Sequence, residues 1–285
     1  MSLELDLYDE IRRLICQIPE GMVAVADDIA VALGDKRSKV AVMEILNRKD
    51  FEDLKGKVLR TFDSRYKLFR NFSSTRPLNI LKEFQKVSSK KIIEKDSFDK
   101  LEFIAGVDVS YEDDLAYASF VIIDKNYRII DIKFSKCKTN FPYIPGYLSF
   151  REGPPIIEVV KRSPDFDILM VNGHGLAHPR FFGLASHVGL ELDKPTIGVT
   201  QKRLVGKMIS HNKECSILTY RGRIVGAKLN IHGKKNLYVS VGHKMSLDTS
   251  IEIVKKFCTD LNLPEPLRVA HILSKNFGKN KGNII

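Results

Sequence analysis

Apolar residues at Leu5, Leu7, Ile11, Leu14, Ile15 and Ile18 recur at close to helical spacing, and Pro19-Glu20-Gly21 ends the run, which predicts a first helix. Cys16 is expected on its apolar side as a small buried hydrophobe rather than a nucleophile. Asp27-Asp28 then precede Ile29, Ala30, Val31, Ala32 and Leu33, and Gly34 follows, so a short second helix is capped by acid and closed by glycine. A third helix is expected from about Lys36 to Leu46. Helix, turn, short helix, glycine and a basic third helix form a helix-turn-helix pattern in which Lys36, Arg37 and Lys39 face phosphate or base edges. A solvated charged face is the competing reading of those three residues.

Further along, the periodicity shortens. Phe103 to Ser110, Ala116 to Ile123 and Tyr127 to Phe134 read as strands of a meander, and the first carries one carboxylate, Asp108, in an apolar run. Such a group is costly to bury alone, so Asp108 should be hydrogen-bonded, paired or metal-bound. Ile168 to Val171 reads as a second buried strand ending in Asn172-Gly173-His174-Gly175, followed by a helix from Leu176-Ala177-His178-Pro179-Arg180 through Leu190. After the Asp193-Lys194-Pro195 turn, Thr196 to Val199 is another strand. Polar side chains thus gather at carboxyl ends of strands, where open α/β sheets place their sites.

Length and charge add partners to this outline. A chain of 285 residues suits two bodies, and Ser73-Ser74-Thr75-Arg76-Pro77 is the best hinge, giving domains 1–72 and 77–285. Forty-six Lys+Arg against 35 Asp+Glu leave a formal charge of +11, which suits a polyanion such as nucleic acid. From Lys55 to Lys95 basic residues interleave with aromatics, among them Arg60, Phe62, Arg65, Tyr66, Lys67, Phe69, Arg70 and Phe72. Phosphate contact with stacking, or docking on a neighbouring domain, are both open there. The four cysteines form no CxxC pair, so neither zinc nor a disulfide framework is indicated, and no apolar run spans a bilayer. With an acidic, amphipathic start unlike a signal peptide, a soluble cytoplasmic protein, monomeric and without a membrane partner, is expected.

The run IPEGMVAVADDIAVALGDKRSKVAVMEIL resembles the DNA-binding domain of O6-alkylguanine-DNA alkyltransferases and alkyltransferase-like proteins over about fifty residues. Their Pro-Cys-His-Arg signature falls on Leu54-Lys55-Gly56-Lys57, so alkyl transfer is not expected. The resemblance puts Val40 where that family has a base-displacing arginine and Ala26 where it has a tyrosine, which implies a grip on DNA without base flipping.

The larger part of the chain resembles endonuclease V, through GVDVSY at 106–111, FPYIPGYLSFREGP at 141–154, NGHGLAHPRFFGLASHVGL at 172–190, PTIGV at 195–199, VSVGHKMS at 239–246 and EPLRVAHI at 265–272. The resemblance spans roughly residues 77–280. It implies an α/β, ribonuclease H-like mixed sheet flanked by helices, joined to a small helical, winged-helix-like N-terminal domain. It also implies a DNA-repair endonuclease that recognises deaminated adenine and cuts one nucleotide beyond it on the 3′ side. A non-cleaving lesion sensor and an inosine-directed ribonuclease are the alternatives.

In this resemblance Asp108 and Glu152 match metal-binding acids, and Asn172 stands where the family has a third, aspartate. Phosphodiester hydrolysis needs an activated water and a stabilised leaving oxygen, which oxygen-ligated Mg²⁺, or Mn²⁺ in its place, supplies. Asn172 would bring an oxygen but no charge. Gln201 replaces a lysine that contacts the scissile phosphate, with Lys202 beside it, and Ser246 replaces an acid. His178 and His243 are expected to contact phosphate or orient a ligand as part of the catalytic set, His187 to be structural, and His174 is undecided. Pro142-Tyr143-Ile144-Pro145 reads alone as a rigid loop with two exposed apolar side chains; the resemblance makes it a wedge that enters the helix at the lesion, with Gly146, Leu148, Gly173 and Leu176 as pocket walls.

Overall fold

The computed structural model describes residues 5–210, 214–231, 236–258 and 263–282. Two units are resolved within it. The first comprises Met1–Phe84 together with Thr139–Arg151, and the second comprises Gln85–Lys138 with Glu152–Ile285. The division differs from a break at residues 73–76 in two ways. Helical residues Pro77–Ser89 continue through it, and a loop from far along the sequence joins the first unit.

In the first unit, helix α1 (Leu7–Cys16) starts at Asp6, whose side chain accepts from the Tyr8 and Asp9 N–H groups. Its buried stripe is Leu7, Ile11, Leu14 and Ile15, continued by Ile18. Cys16 lies off that stripe and is exposed, contrary to the expected burial. Strand β1 (Ala24–Val25) leads into α2 (Ala26–Leu33), which Gly34 ends in the left-handed conformation at φ 99°. Val25 is the N-cap, and Asp27 and Asp28 occupy the first turn instead, where they complement the helix dipole. The third helix begins as a 3₁₀ turn, Lys36–Ser38, and continues as α3 (Lys39–Ile45). A 3₁₀ segment over Lys49–Lys57 delivers β2 (Val58–Leu59), which pairs with β1 in parallel, and a Val23–Leu68 bridge extends the contact. Helix α4 is Pro77–Ser89.

The second unit is organised by a sheet of nine strands among the described residues. Strands β3 (Phe103–Glu112), β4 (Leu115–Asp124) and β5 (Ile129–Lys138) form the antiparallel meander that the alternation predicts. Helix α5 spans Leu148–Lys161. Strands β6 (Ile168–Asn172) and β7 (Thr196–Thr200) add parallel to β3, with helix α6 (Leu184–Leu192) between them. The sheet is completed by β8 (Lys207–Ser210), β9 (Cys215–Tyr220), β10 (Arg223–Leu229) and β11 (Leu237–His243), in the order β5-β4-β3-β6-β7-β11-β10-β9-β8. Helices α7 (Leu247–Phe257) and α8 (Glu265–Lys279) follow. This mixed sheet with flanking helices is the α/β architecture expected of a ribonuclease H-like domain. Among the described residues no helix is long and apolar enough to cross a membrane.

The helix expected from Leu176 begins only at Leu184. Pro179 has no N–H to give, and the backbone of the preceding residues is committed elsewhere: Leu176 N–H donates to the Val241 carbonyl at 2.8 Å, and Gly183 N–H to the Gly175 carbonyl at 3.0 Å. Helix α8 is seated on β3 and β4 with almost no spacing. The Ser119 hydroxyl donates to the Ala270 carbonyl at 2.5 Å and Ser110 to that of Ser274 at 2.7 Å. A Cβ on Gly106 would lie 2.3 Å from the Pro266 backbone carbon.

Because that neighbour is backbone, Gly106→Ala must lift the start of α8, and we expect a loss of about 3 kcal/mol in stability, near the top of the usual range for overpacking. Urea unfolding measures it, and an unchanged midpoint would contradict this seating.

Candidate active site

Strands β3 and β6 run in parallel with Val107 opposite Val171, so Asp108, midway along β3, and Asn172, the last residue of β6, stand side by side where that pairing ends. Asp108 is only 7% exposed, and its carboxylate is satisfied from two directions. The Asn172 amide donates to Oδ1 at 2.8 Å. On Oδ2, the Ser274 hydroxyl donates at 3.2 Å and His271 Nδ1 makes a contact of 2.7 Å. His271 and Ser274 stand three residues apart on α8, and so share one face of that helix. Burying a carboxylate is tolerable only with such partners, so helix and strands hold one another at this point.

His271 was not among the sequence candidates. Its signal in the sequence was its place in EPLRVAHI at 265–272, one of the segments that carry the family resemblance. The partner, however, lies 163 residues away, and only the fold joins them.

The other expected site residues fall elsewhere. His243 is buried at the end of β11 opposite Thr196, the first residue of β7, whereas the carboxyl end of that strand is Thr200. Four residue steps separate the two ends, roughly 13 Å, so His243 belongs to the opposite edge from Asp108 and Asn172. There its Nδ1 accepts from Ile93 N–H at 3.4 Å and its Nε2 lies 3.6 Å from Asp193. Burial lowers its pKa in spite of that acid. A phosphate-contacting role for His243 is therefore corrected to a structural one. His178 is buried too, and its Nδ1 accepts from the Arg180 N–H at 3.3 Å. His174 is partly buried, with Nε2 at 2.9 Å from the Lys202 carbonyl and 3.2 Å from the Thr200 hydroxyl, while the Gln201 and Lys202 residues themselves are exposed.

Of the expected pocket walls, Leu176 is buried in the second unit's core and Gly173 packs under Leu184. In the loop, only Tyr143 is exposed, at 47%; Ile144 is buried at 1% with Phe141 and Tyr147, so the expectation of two exposed apolar side chains is corrected to one. Arg37 is held by Asp35 at 2.7 Å and Lys39 by Asp27 at 2.6 Å, which leaves Lys36 as the exposed cation of the three.

The Asp108 carboxylate and the Asn172 amide oxygen suit, by donor type, a hard cation that keeps most of its water, as Mg²⁺ commonly does, and His271, engaged through Nδ1 with Asp108, orients that carboxylate. They carry one negative charge. Among the described residues no three His, Cys, Asp or Glu side chains gather into a metal-binding group, so Glu152, partly buried at the start of the second unit's share of α5, does not complete one with Asp108 and His271.

The model of the Endonuclease V family matches residues 85–272. The chain belongs to the Endonuclease V family. Endonuclease V of Dictyoglomus thermophilum is 44% identical over 199 residues, covering 67% of this chain and 86% of that protein. Endonuclease V of Thermosipho melanesiensis is 39% identical over 206 residues, covering 69% and 91%. Among solved structures, human ENDOV aligns with a TM-score of 0.65 at 27% identity over 72% of this chain and all of that one. The Ciona intestinalis Endonuclease V, solved with a 24-mer DNA containing an inosine, aligns at 0.64 and 26% identity over 72% of this chain and 98% of that one. The family's members are metal-dependent nucleases, and the first 84 residues lie outside the family match.

Burial lowers the pKa of His174 and of His187 from the usual 6.5 to about 4. The unfolded chain therefore binds more protons than the folded one between those values. Stability that is complete above pH 6.5 should be lost progressively as pH falls towards 4. Urea midpoints across pH 4–7 check this, and a His174→Gln/His187→Gln variant should give a flatter profile.

Proposed function

We propose that this chain is a Mg²⁺-dependent endonuclease that nicks DNA on the 3′ side of deoxyinosine, with activity weakened by Asn172. The observation that carries this reading is the buried Asp108 carboxylate, set beside Asn172 where β3 and β6 cease to pair and faced by His271. The cation, held by Asp108 and the Asn172 oxygen, with Glu152 assigned to it by family resemblance, would supply an activated water and charge for the leaving oxygen. The side chains themselves do simpler work. Asp108 provides the single negative charge, Asn172 and Ser274 fix its rotamer, and His271 holds the outer oxygen in place. Hypoxanthine pairs weakly, so its displacement costs less than that of a normal base and gives selectivity. Tyr143, exposed on an otherwise buried loop, is the side chain to occupy the gap.

The first 72 residues are proposed as an alkyltransferase-like DNA-binding domain without the transfer chemistry. Its contacts on this reading are Lys36 and the strip Arg60, Phe62, Arg65, Tyr66, Lys67 and Arg70. Phe62 is 64% and Tyr66 48% exposed, which favours stacking over docking for that strip.

A second reading, a lesion-binding protein that does not cut, is favoured by one observation. The Asn172 amide fills the Asp108 oxygen that a cation would use. Purified protein incubated with an inosine-containing duplex and Mg²⁺ or Mn²⁺, with single-stranded DNA and RNA in parallel, separates the two. Slow nicking of the duplex is expected, and Asn172→Asp should raise it at least about tenfold by restoring a negative charge near the ion. Lesion-selective binding with no product from either protein would establish the second reading in place of the first.

A further inference from the structure

By chain order, Thr139–Arg151 connects β5 to the body of α5 and lies within the family match. By packing it is part of the first unit, most of which lies outside that match. Phe141, Ile144 and Tyr147 are buried in one cluster with Leu7, Ile11, Leu33 and Leu78. The loop is tied at both ends: Leu7 N–H donates to the Asn140 carbonyl at 2.9 Å, and Arg151 Nη1 to that of Phe141 at 2.7 Å. At its centre the fully buried Tyr147 donates its hydroxyl to Asp35 Oδ2 at 2.7 Å.

That acid is no ordinary surface group. Arg37 Nη2 donates to the same oxygen at 2.7 Å, Lys82 Nζ lies 3.3 Å from it, and Asp35 also starts the 3₁₀ turn by accepting from the Arg37 N–H. Burial alone would raise the Asp35 carboxyl; the hydrogen bonds from Arg37 and Tyr147 overcome it and hold the group well below the usual range. What emerges from this bed is one large side chain, Tyr143.

We propose that the first unit is the rigid bed of the Tyr143 loop, and that Asp35 and Tyr147 are positioning residues whose contact latches Tyr143 in place for lesion recognition. The lesion-recognition part rests on the substrate reading given above. An aromatic that enters a base stack must resist displacement while the base moves, and a loop ordered beforehand loses less freedom on binding. The fused unit thereby acts on selectivity, beyond any general affinity for DNA.

The chain has no tryptophan, so Tyr143→Trp introduces a single fluorescent reporter. In DNA-free protein its anisotropy decay and acrylamide quenching should show an immobile side chain. Adding Tyr147→Phe, which keeps the ring and removes only the hydroxyl, or Asp35→Asn, should free it on the nanosecond scale. In the Tyr143 background, the same two substitutions should lower the preference for an inosine duplex over an adenine duplex about tenfold, while affinity for the adenine duplex changes less than about twofold. A purely structural role would shift thermal stability and leave that ratio unmoved. An immobile reporter and an unchanged preference in both variants, each still unfolding cooperatively, would overturn the proposal. A wild-type chain with no lesion preference would sink the substrate reading instead, and the reporter's mobility without DNA would still decide whether the latch holds.

Discussion

A carboxylate on a buried strand has to be answered by donors, and in this chain the answer to Asp108 organises the second unit. Its donors come from β6 and from two positions of α8. Those side chains reach it only because α8 lies almost on the sheet, and α8 lies there because residue 106 has no side chain to keep the Pro266 backbone away. The Ser119 and Ser110 hydroxyls fix the helix along its length. Removing Asn172, His271 or Ser274 would leave the carboxylate short of a partner, and lifting α8 would remove two of the three, so the chemistry and the packing are one constraint.

The same constraint explains what Asn172 changes. An aspartate there would place a second negative charge against Asp108, a pairing that demands a cation or a shared proton. The amide instead supplies a donor, and the buried charge is balanced by neutral side chains and one imidazole. On the proposed reading, a site of this kind is stable in itself and would hold a cation less strongly, so that the loss of charge would weaken catalysis through a single hydrogen bond.

Much of this was legible from residue pattern. The alternation through 103–138 gave three strands, and a lone acid in an apolar run marked Asp108 as a group needing partners. What pattern could not supply was distance between remote segments. The Asp108 carboxylate takes partners 64 and 163 positions away in the chain, Asn172 and His271 respectively. His243 looked comparable to His178, yet an antiparallel return places it at the other end of the strands. Helix onset at Leu176 failed because the backbone there bonds to β11 rather than to itself. Cys16 was misplaced by a single position around a helix, and Arg37 and Lys39 lost their free charge to acids that sequence alone showed nearby without showing them bonded.

The division into units bears on why a second domain accompanies this fold at all. A domain that merely raises local concentration needs only a linker, and any linker long enough will serve. Here thirteen residues from the middle of the family-matched region are built into the other unit's core, with Phe141, Ile144 and Tyr147 among its buried side chains. Deleting the first unit would therefore strand three large apolar groups and a tyrosine hydroxyl in water, an exposure that soluble domains avoid. Human ENDOV is matched along its whole length by 72% of this chain, so the family fold itself does not require the remainder. In this chain the dependence falls on the segment that carries Tyr143. A unit that served only as a tether would leave that loop alone.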